Sequence, residues 1–343
     1  MRLLMVAGGT GGHITPAIAL GEWRKGQGDK VHYLCGNRPL ELELYSYHGI
    51  DPHALALEGS PLGTKDPLVA LKRCWAIARS FFDVARLFKM EAPEVVILFG
   101  GYICLPALIV GFVMGKKIVL HEQNAVAGKI TRLAHILGVP IATGWRRCKA
   151  VDGTYTGTPV RRIRPITRDK ALQELGIDYK SLEDRKIISV IGGSLGGLSV
   201  VKAILRRPFM VESSGYIYLY PTRDVALCPP GMLAVRQSWD MSAIYAASDL
   251  VICRGGGATL AELSCYGLPA IVVPWMNSAD GHQKANAISF VAESSSKVGV
   301  WLESEGYQRL FFLINKLSSL SRSSSSADCE SASRLWRLIL SHI

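Results

Sequence analysis

The chain has 343 residues, 49% of them hydrophobic, and carries 39 Lys and Arg against 28 Asp and Glu, a formal net charge of +11. That length favours two domains over one, the apolar share describes a globular protein with large buried sheets, and the charge calls for an anionic partner: nucleic acid, phosphorylated substrate or anionic lipid. The eight cysteines form no C-x-x-C pair and no His/Cys cluster, so the sequence indicates neither a zinc site nor a disulfide framework and suits a reducing cytosol.

Leu3 to Ala7 reads as a first strand, and the opening MRLLMVAGG is too short for a signal peptide. Gly8 to His13 is a glycine loop, after which Thr15 as N-cap and Pro16 at the first helical position predict a helix to about Arg24. Val31 to Cys35 is the next strand. The opening is not a dinucleotide fingerprint, because the third glycine would fall at Ile14 and no acidic residue ends the second strand. An anion-cradling loop remains, with His13 either a site residue or a polar residue flanking the helix.

Lys65 to Met90 predicts a long helix with Leu68, Leu71, Trp75, Ala78, Phe82 and Ala85 at helical spacing. Lys72, Arg73, Arg79, Arg86 and Lys89 interleave with them. A core helix with a solvated basic face accounts for much of this; the surplus of aromatic residues suggests a membrane-surface contact. Val95 to Phe99 is a strand ending in a second glycine loop, Gly100 to Tyr102. The apolar stretch Ile103 to Gly115 is interrupted by Pro106 and Gly111 and is too short to span a bilayer. Lys117 to Leu120 is a strand followed at once by His121-Glu122-Gln123-Asn124, four polar residues where a site or a satisfied loop network is expected. Thr156 to Arg161 breaks the pattern and places the domain boundary, at about residues 157–158.

A second series starts at Lys186. Ile187 to Ile191 is a strand, Gly192 to Gly197 a third glycine loop, and Ile217 to Tyr220 and Leu250 to Cys253 continue the sheet. Both halves thus repeat strand, glycine loop, helix, which predicts an α/β chain. Arg254 and three glycines precede a helix from Thr259, and Ala270 to Val273 is a further strand. Helix-start N–H groups beside glycines favour a phosphate, and Glu262 is placed for two ribose hydroxyls. Alternatively Thr259 and Glu262 form a capping box that closes the helix end. Trp275 to Gln283 reads as a polar loop, Ser318 to Ser326 as a serine-rich loop, and Arg334 to Leu340 as a short amphipathic helix.

The ordered set GGTGGHITPA, FGGY, HEQNAVAG, GTPVR, GGSLGG, RGGGATLAE and HQ-x-x-NA, from Leu3 to about Ala287, resembles the MurG family, the undecaprenyl-diphospho-muramoylpentapeptide β-N-acetylglucosaminyltransferases of glycosyltransferase family 28. The resemblance implies a GT-B fold, two Rossmann-like domains facing across a cleft, with no cofactor and no required metal. It implies inverting transfer of N-acetylglucosamine from UDP-N-acetylglucosamine to the C4 hydroxyl of the muramoyl sugar of lipid I, giving lipid II in peptidoglycan synthesis, cell-wall biogenesis, cell shape and division. Residues 1–157 would be the acceptor and membrane-facing domain, with a helix at about 327–343 packing back on it, and residues 158–326 the donor domain. Localisation would be peripheral, at the cytoplasmic face of the bacterial cell membrane. Partners would be the two substrates, an anionic membrane surface, and cell-wall synthesis and division proteins, without nucleic acid.

Carried over residue by residue, the resemblance gives Glu262 the ribose hydroxyls and the helix start at Gly257, Ala258 and Thr259 the diphosphate. Ser194 and Arg161 would also face the diphosphate, Arg254 would shape the loop, and His282, Gln283 and Asn124 would reach the sugar. Gly9, Gly100, Gly101 and Tyr102 would hold the lipid diphosphate, with Thr10, Gly11 and Gly12 on the donor. His13 is the first candidate for the base and Glu122 the second; an imidazole suits the role because it titrates near working pH. The sequence departs from the family at Leu195 and Gly197, at Gln237-Ser238 before Asp240-Met241, at Pro221 to Asp224, and at Cys104, where a small hydroxyl residue is common. Two other readings compete. Gly192 to Gly196 is formally a nucleophile elbow around Ser194, with Asp249 and His282 following in the order of a serine hydrolase. The charge alone would also serve a non-catalytic binder of anionic lipid.

Overall fold

The computed structural model describes residues 1–57, 66–162, 164–178, 182, 185–192, 200, 204, 215–224, 226, 228, 230–294, 297–322 and 330–343. The chain divides into two compact units, Met1–Arg161 with Cys329–Ile343, and Arg162–Asp328. Each is an α/β unit on a wholly parallel sheet.

The first unit runs β1 (Arg2–Val6), α1 (Gly11–Lys25), β2 (Lys30–Gly36), α2 (Pro39–Tyr47), β3 (His53–Leu55), α3 (Pro67–Glu91), β4 (Val95–Leu98), α4 (Cys104–Val113), β5 (Lys117–Glu122), α5 (Lys129–Ile136), β6 (Ile141–Thr143) and β7 (Thr154–Tyr155). Its strand order is β3-β2-β1-β4-β5-β6-β7. The strands are unbroken apolar runs because helices cover both faces: Leu3, Leu4, Met5 and Val6, and likewise Val95 to Leu98, are wholly buried. The order in which successive strands are added reverses between the parallel neighbours β1 and β4, so the loops that leave their C-terminal ends, Gly8–Thr10 and Gly100–Tyr102, flank the switch point where α/β sheets take ligands.

The first helix begins at Gly11, four residues before Thr15, and Thr10 is its N-cap. Pro16 therefore lies inside the helix, where its missing N–H costs a bond, and Thr15 turns its hydroxyl back to the Gly11 carbonyl at 2.9 Å. The cause is Gly9, whose left-handed φ of +87° swings the chain into the helix earlier than the proline signal suggests.

In α3 the apolar stripe read from the sequence faces away from the core except at Ala85, which packs against it. Leu68, Leu71, Trp75 and Phe82 are 70%, 68%, 64% and 78% exposed. The buried residues are Ser80, Val84, Leu87 and Phe88, in the second half. A helix of 25 residues is about 37 Å long, whereas the four residues of β4 span about 13 Å, so only its C-terminal half finds a sheet to cover. Asp66 caps the start, accepting from the Leu68 and Val69 N–H groups at 2.9 and 3.3 Å, with Pro67 at the first position. Lys65 lies outside the described residues.

The second unit contains α6 (Arg168–Glu174), β8 (Lys186–Ile191), β9 (Tyr216–Thr222), β10 (Met232–Arg236), α7 (Ser242–Ala247), β11 (Leu250–Cys253), α8 (Gly257–Tyr266), β12 (Ala270–Val272), α9 (His282–Glu293), β13 (Val298–Val300) and α10 (Tyr307–Ser318). The sheet order is β10-β9-β8-β11-β12-β13, so the switch point falls between β8 and β11. Val190, Ile252, Ile271 and Trp301 pack with Leu313 and Leu317 of α10. His282 and Gln283 do not close a loop, as the polar run from Trp275 suggested; they open α9 after a turn in which Asp280 and Gly281 take φ of +52° and +64°.

The last helix, α11 (Ser331–Leu340), belongs to the first unit. Ala332, Leu335, Trp336 and Ile339 form a buried stripe of one helical face. Arg24 of α1 lies 3.9 Å over the Trp336 ring. Ser331 Oγ donates to the Thr158 carbonyl at 2.8 Å and Arg334 Nε to the Thr156 carbonyl at 2.9 Å, holding the turn at Gly157.

Candidate active site

In the first unit the loop after β1 is built around a buried carboxylate. Glu41 is wholly buried and accepts the Gly36 N–H at 2.8 Å. A Cβ on Gly8 would overlap that carboxylate, which is why the loop passes there as glycine. Burial holds Glu41 above the usual carboxylate range.

His13 stands at the start of α1 with Nδ1 3.1 Å from the Gly8 carbonyl and 3.4 Å from Thr10 Oγ1. A carbonyl oxygen only accepts, so Nδ1 carries a proton, and in the neutral ring the lone pair is on Nε2. The ring lies against the second glycine loop. Gly100 and Gly101 take φ of +92° and +82°, and a Cβ on Gly100 would sit 3.3 Å from His13 Nε2. Gly101 approaches so closely that its Cβ would press the Gly8 carbonyl at 2.7 Å. Tyr102 packs beside Gly9, donates to the Leu57 carbonyl at 2.7 Å, and has Arg38 over its ring at 5.2 Å. Gly9, Thr10, Gly11, Gly12, His13, Gly100, Gly101 and Tyr102 are thereby gathered at one switch point. Cys104 serves as a hydroxyl would: its thiol donates to the Gly100 carbonyl at 3.0 Å, and burial pushes its pKa up to about 12, which keeps it protonated.

At the end of β5 the residues separate in role. Glu122 is buried, and its carboxylate accepts from Asn124 N and Nδ2 at 3.0 Å each, Gly128 N at 3.0 Å and Thr131 Oγ1 at 2.5 Å. Four donors commit this carboxylate to folding the loop and presenting Asn124, which is poor use for a proton acceptor. His121 is wholly buried, with Nε2 donating to the Gly157 carbonyl at 2.8 Å and Nδ1 accepting from Gln123 Nε2 at 3.0 Å. Burial lowers its pKa to about 4, so it stays neutral. Gln123 also donates to the His121 carbonyl at 2.9 Å, which fixes its amide orientation and turns Oε1 toward Gly100. That buried oxygen has no hydrogen-bond partner among the described residues. Gln123 thereby becomes a candidate site residue that reading side chains one by one missed, although the polar run after β5 contained it.

Arg161 lies in the first unit, its Nη1 donating to His48 Nε2 at 2.9 Å, while His48 Nδ1 is 3.0 Å from Glu22. It belongs to a polar chain at the end of α2 rather than to the unit that carries Arg254.

In the second unit the capping-box alternative fails. Gly256 is the N-cap of α8, no side chain caps it, and Thr259 is already the third helical residue. The N–H groups of Gly257, Ala258 and Thr259 have no partner within the helix and form a ready anion site. Glu262 instead accepts from the wholly buried Tyr245 hydroxyl at 2.8 Å. Burial drives that phenol well above its ordinary pKa, so it remains a donor, and Tyr266 packs on its ring at 4.9 Å. Arg254 is turned inward, donating to the Val273 carbonyl at 3.0 Å and pairing with Glu303 at 2.6 Å. It shapes the loop and is neutralised there.

The loop leans on α9. Asn286, wholly buried, donates to the Gly255 carbonyl at 2.9 Å, and a Cβ on Gly255 would overlap the Gln283 carbonyl. Gln283 Oε1 accepts the Trp275 N–H at 2.9 Å. His282 and Gln283 thus stand beside the glycine loop. Gln237 and Ser238 fit a local turn: Gln237 N donates to the Thr222 carbonyl at 2.9 Å and Ser238 Oγ accepts from Asp240 N at 3.0 Å. Ser194, Leu195 and Gly197 lie outside the described residues. The hydrolase triad has no geometric support, since Asp249 precedes β11 and is paired bidentately with Arg168 at 3.0 and 2.9 Å. His282 sits by the loop at the opposite end of that strand, about 13 Å of strand away.

Residues 3–136 match the glycosyltransferase family 28 N-terminal domain and residues 232–330 its C-terminal domain. A Corynebacterium glutamicum protein named UDP-N-acetylglucosamine–N-acetylmuramyl-(pentapeptide) pyrophosphoryl-undecaprenol N-acetylglucosamine transferase is 31% identical over 87% of this chain and 84% of its own. A Pseudomonas entomophila protein of the same name is 33% identical over 86% and 83%. Among solved structures, Acinetobacter baumannii MurG superposes with a TM-score of 0.71 at 23% identity, covering 99% of each chain. A putative UDP-N-acetylglucosamine 2-epimerase from Listeria monocytogenes superposes with a TM-score of 0.63 at 13% identity, covering 99% of this chain and 96% of its own. The fold is thus GT-B, two Rossmann-like domains on parallel sheets.

Proposed function

From the premise that the chain belongs to glycosyltransferase family 28, we propose that it is the enzyme transferring N-acetylglucosamine from UDP-N-acetylglucosamine to lipid I, with release of UDP. The observation that carries this reading is the state of α8: its first N–H groups lack any side-chain cap while Glu262, one turn on, is aimed by a buried tyrosine. An uncapped helix start suits a diphosphate, and an oriented carboxylate suits paired ribose hydroxyls. Ser194 joins them on the diphosphate by family resemblance. His282, Gln283 and Asn124 address the sugar, and Asn286 and Arg254 hold the loop in shape.

The first unit supplies the acceptor side. Its two glycine loops bind the lipid diphosphate, and His13 Nε2 takes the proton of the C4 hydroxyl. As that proton leaves, the oxygen attacks the anomeric carbon, the bond to the phosphate oxygen breaks, and its electron pair leaves with UDP. Attack opposite the leaving group inverts the centre. The Nδ1–H bond to Gly8 supports the assignment, because it fixes the tautomer and steadies the imidazolium that forms. Glu122 acts through Asn124 and not as the base.

The enzyme works peripherally at the cytoplasmic face of the cell membrane. No helix among the described residues is long and apolar enough to cross a bilayer. The exposed stripe of α3, with Lys72, Arg79, Arg86 and Lys89 around it, is the docking surface for anionic headgroups. Assembly with cell-wall synthesis and division proteins belongs to the same proposal. Incubation with UDP-N-acetylglucosamine and a lipid I analogue tests the reading. UDP release that needs both substrates is expected; binding without turnover would make the protein an anionic-lipid binder instead.

A further inference from the structure

A second cluster of reactive side chains lies outside this machinery. His32 is the third residue of β2, His53 the first of β3, and Glu91 the last of α3. The glycine loops leave β1 and β4, so no residue of the cluster is part of them. His32 Nε2 is 3.1 Å from Glu91 Oε2, His53 Nε2 is 3.5 Å from Glu91 Oε1, and the three ligating atoms all lie within 4.8 Å of one another. The imidazole rings are stacked with centroids 6.2 Å apart.

These separations leave room for a metal ion. Ligands about 2.05 Å from a tetrahedral ion stand about 3.3 Å from each other. The two nitrogen–oxygen spacings, each to a different oxygen of Glu91, fall within about 0.3 Å of that edge. Nor is the cluster explained by hydrogen bonding. His32 Nε2 is buried and makes no hydrogen bond among the described residues, although a carboxylate oxygen is 3.1 Å away. The two atoms face one another without the alignment that an N–H···O bond requires. A cation between them would satisfy both.

We propose that His32, His53 and Glu91 form a divalent-metal site of the zinc class, holding the C-terminal end of α3 to the edge of the first sheet. Two imidazoles and one carboxylate are a zinc ligand set that leaves the fourth position to water. The His53 side chain is 40% exposed and supplies the open side. Lys30 Nζ, 3.8 Å from Glu91, is the competing charge; it is 66% exposed and can turn into solvent when an ion enters. The ion is a brace rather than a catalyst, joining two strands to the helix whose first half exposes the apolar stripe. None of the reaction steps passes through it.

The test uses the full chain without a polyhistidine tag, stripped with EDTA and dialysed, and titrated with ZnCl2 by calorimetry and by thermal melting. The expected result is one equivalent bound, a higher melting temperature with zinc, and reversal by EDTA. His53→Gln and Glu91→Gln should lose both responses while His53→Gln, altering an exposed ring, keeps the metal-free melting temperature. Co2+ in place of zinc should give the intense visible absorption of a four-coordinate site in the wild type alone. A wild type indifferent to zinc, or an equal zinc response in the wild type and both variants, overturns the proposal.

Discussion

Replacing Tyr245 by Phe removes one oxygen and nothing else from the donor unit. That oxygen donates to Glu262 at 2.8 Å from a wholly buried ring. Hydrogen bonds to charged groups contribute about 1.5–3 kcal/mol net. In the free protein Glu262 is half-buried, and water can take the place of the phenol. Bound ribose excludes that water, so the loss falls mainly on the donor complex. Using the lower figure of about 1.5 kcal/mol, the KM for UDP-N-acetylglucosamine should rise about tenfold. Fold stability should change by at most about 1 kcal/mol, because the ring still packs on Tyr266. The assay is UDP release at varied donor, run beside a donor lacking the ribose 2′-hydroxyl. Glu262→Ala should raise the donor KM further and make Tyr245→Phe silent in the double variant. If Tyr245→Phe weakens both donors equally, or lowers the melting point strongly without changing KM, the carboxylate has a structural role and the ribose assignment fails.

His13→Ala should lower kcat by about 10²–10⁴-fold and leave UDP binding intact, since the imidazole stands in the first unit; stopped-flow or steady-state kinetics beside UDP calorimetry separates the two. Gly255→Ala should abolish donor binding, because the new methyl overlaps the Gln283 backbone, while lipid I analogue binding to the first unit persists. Acid should destabilise the first unit through His121. Its pKa is about 4 folded against an ordinary 6.5, so the full contribution is present above about pH 6.5 and is lost progressively down to about 4. That gap is worth on the order of 3 kcal/mol; melting scans of wild type and His121→Asn should show the variant losing this slope. Replacing Lys72, Arg73 and Arg79 with Ser should reduce flotation with anionic vesicles and raise the lipid I KM more than the donor KM; equal flotation would place the docking surface elsewhere.

The sequence by itself determined what depends on neighbours along the chain. The apolar runs predicted Leu250 to Cys253 as a strand to the residue and β1, β4 and β8 to within one or two, and glycines followed by helices marked the switch-point loops. The ordered motifs carried the family. Tertiary structure decided whatever depends on residues distant in sequence. The Thr259 to Glu262 spacing by itself fits a capping box; only Gly256 at the cap position rules that out, and only Tyr245, brought in from α7, shows what Glu262 bonds to instead. On paper residue type alone ranks His13 ahead of Glu122 as a base; what the sequence could not show is that four donors close around the Glu122 carboxylate and that the Gly8 carbonyl lies against His13 Nδ1. The stripe of α3 has core periodicity, yet whether a periodic face is buried depends on the length of the sheet beneath it. His32, His53 and Glu91 are 21 and 38 residues apart in succession, so no local spacing could announce them. A parallel sheet brings together what each crossover separates by tens of residues, and chemistry assembled across strands is invisible until the strands are ordered.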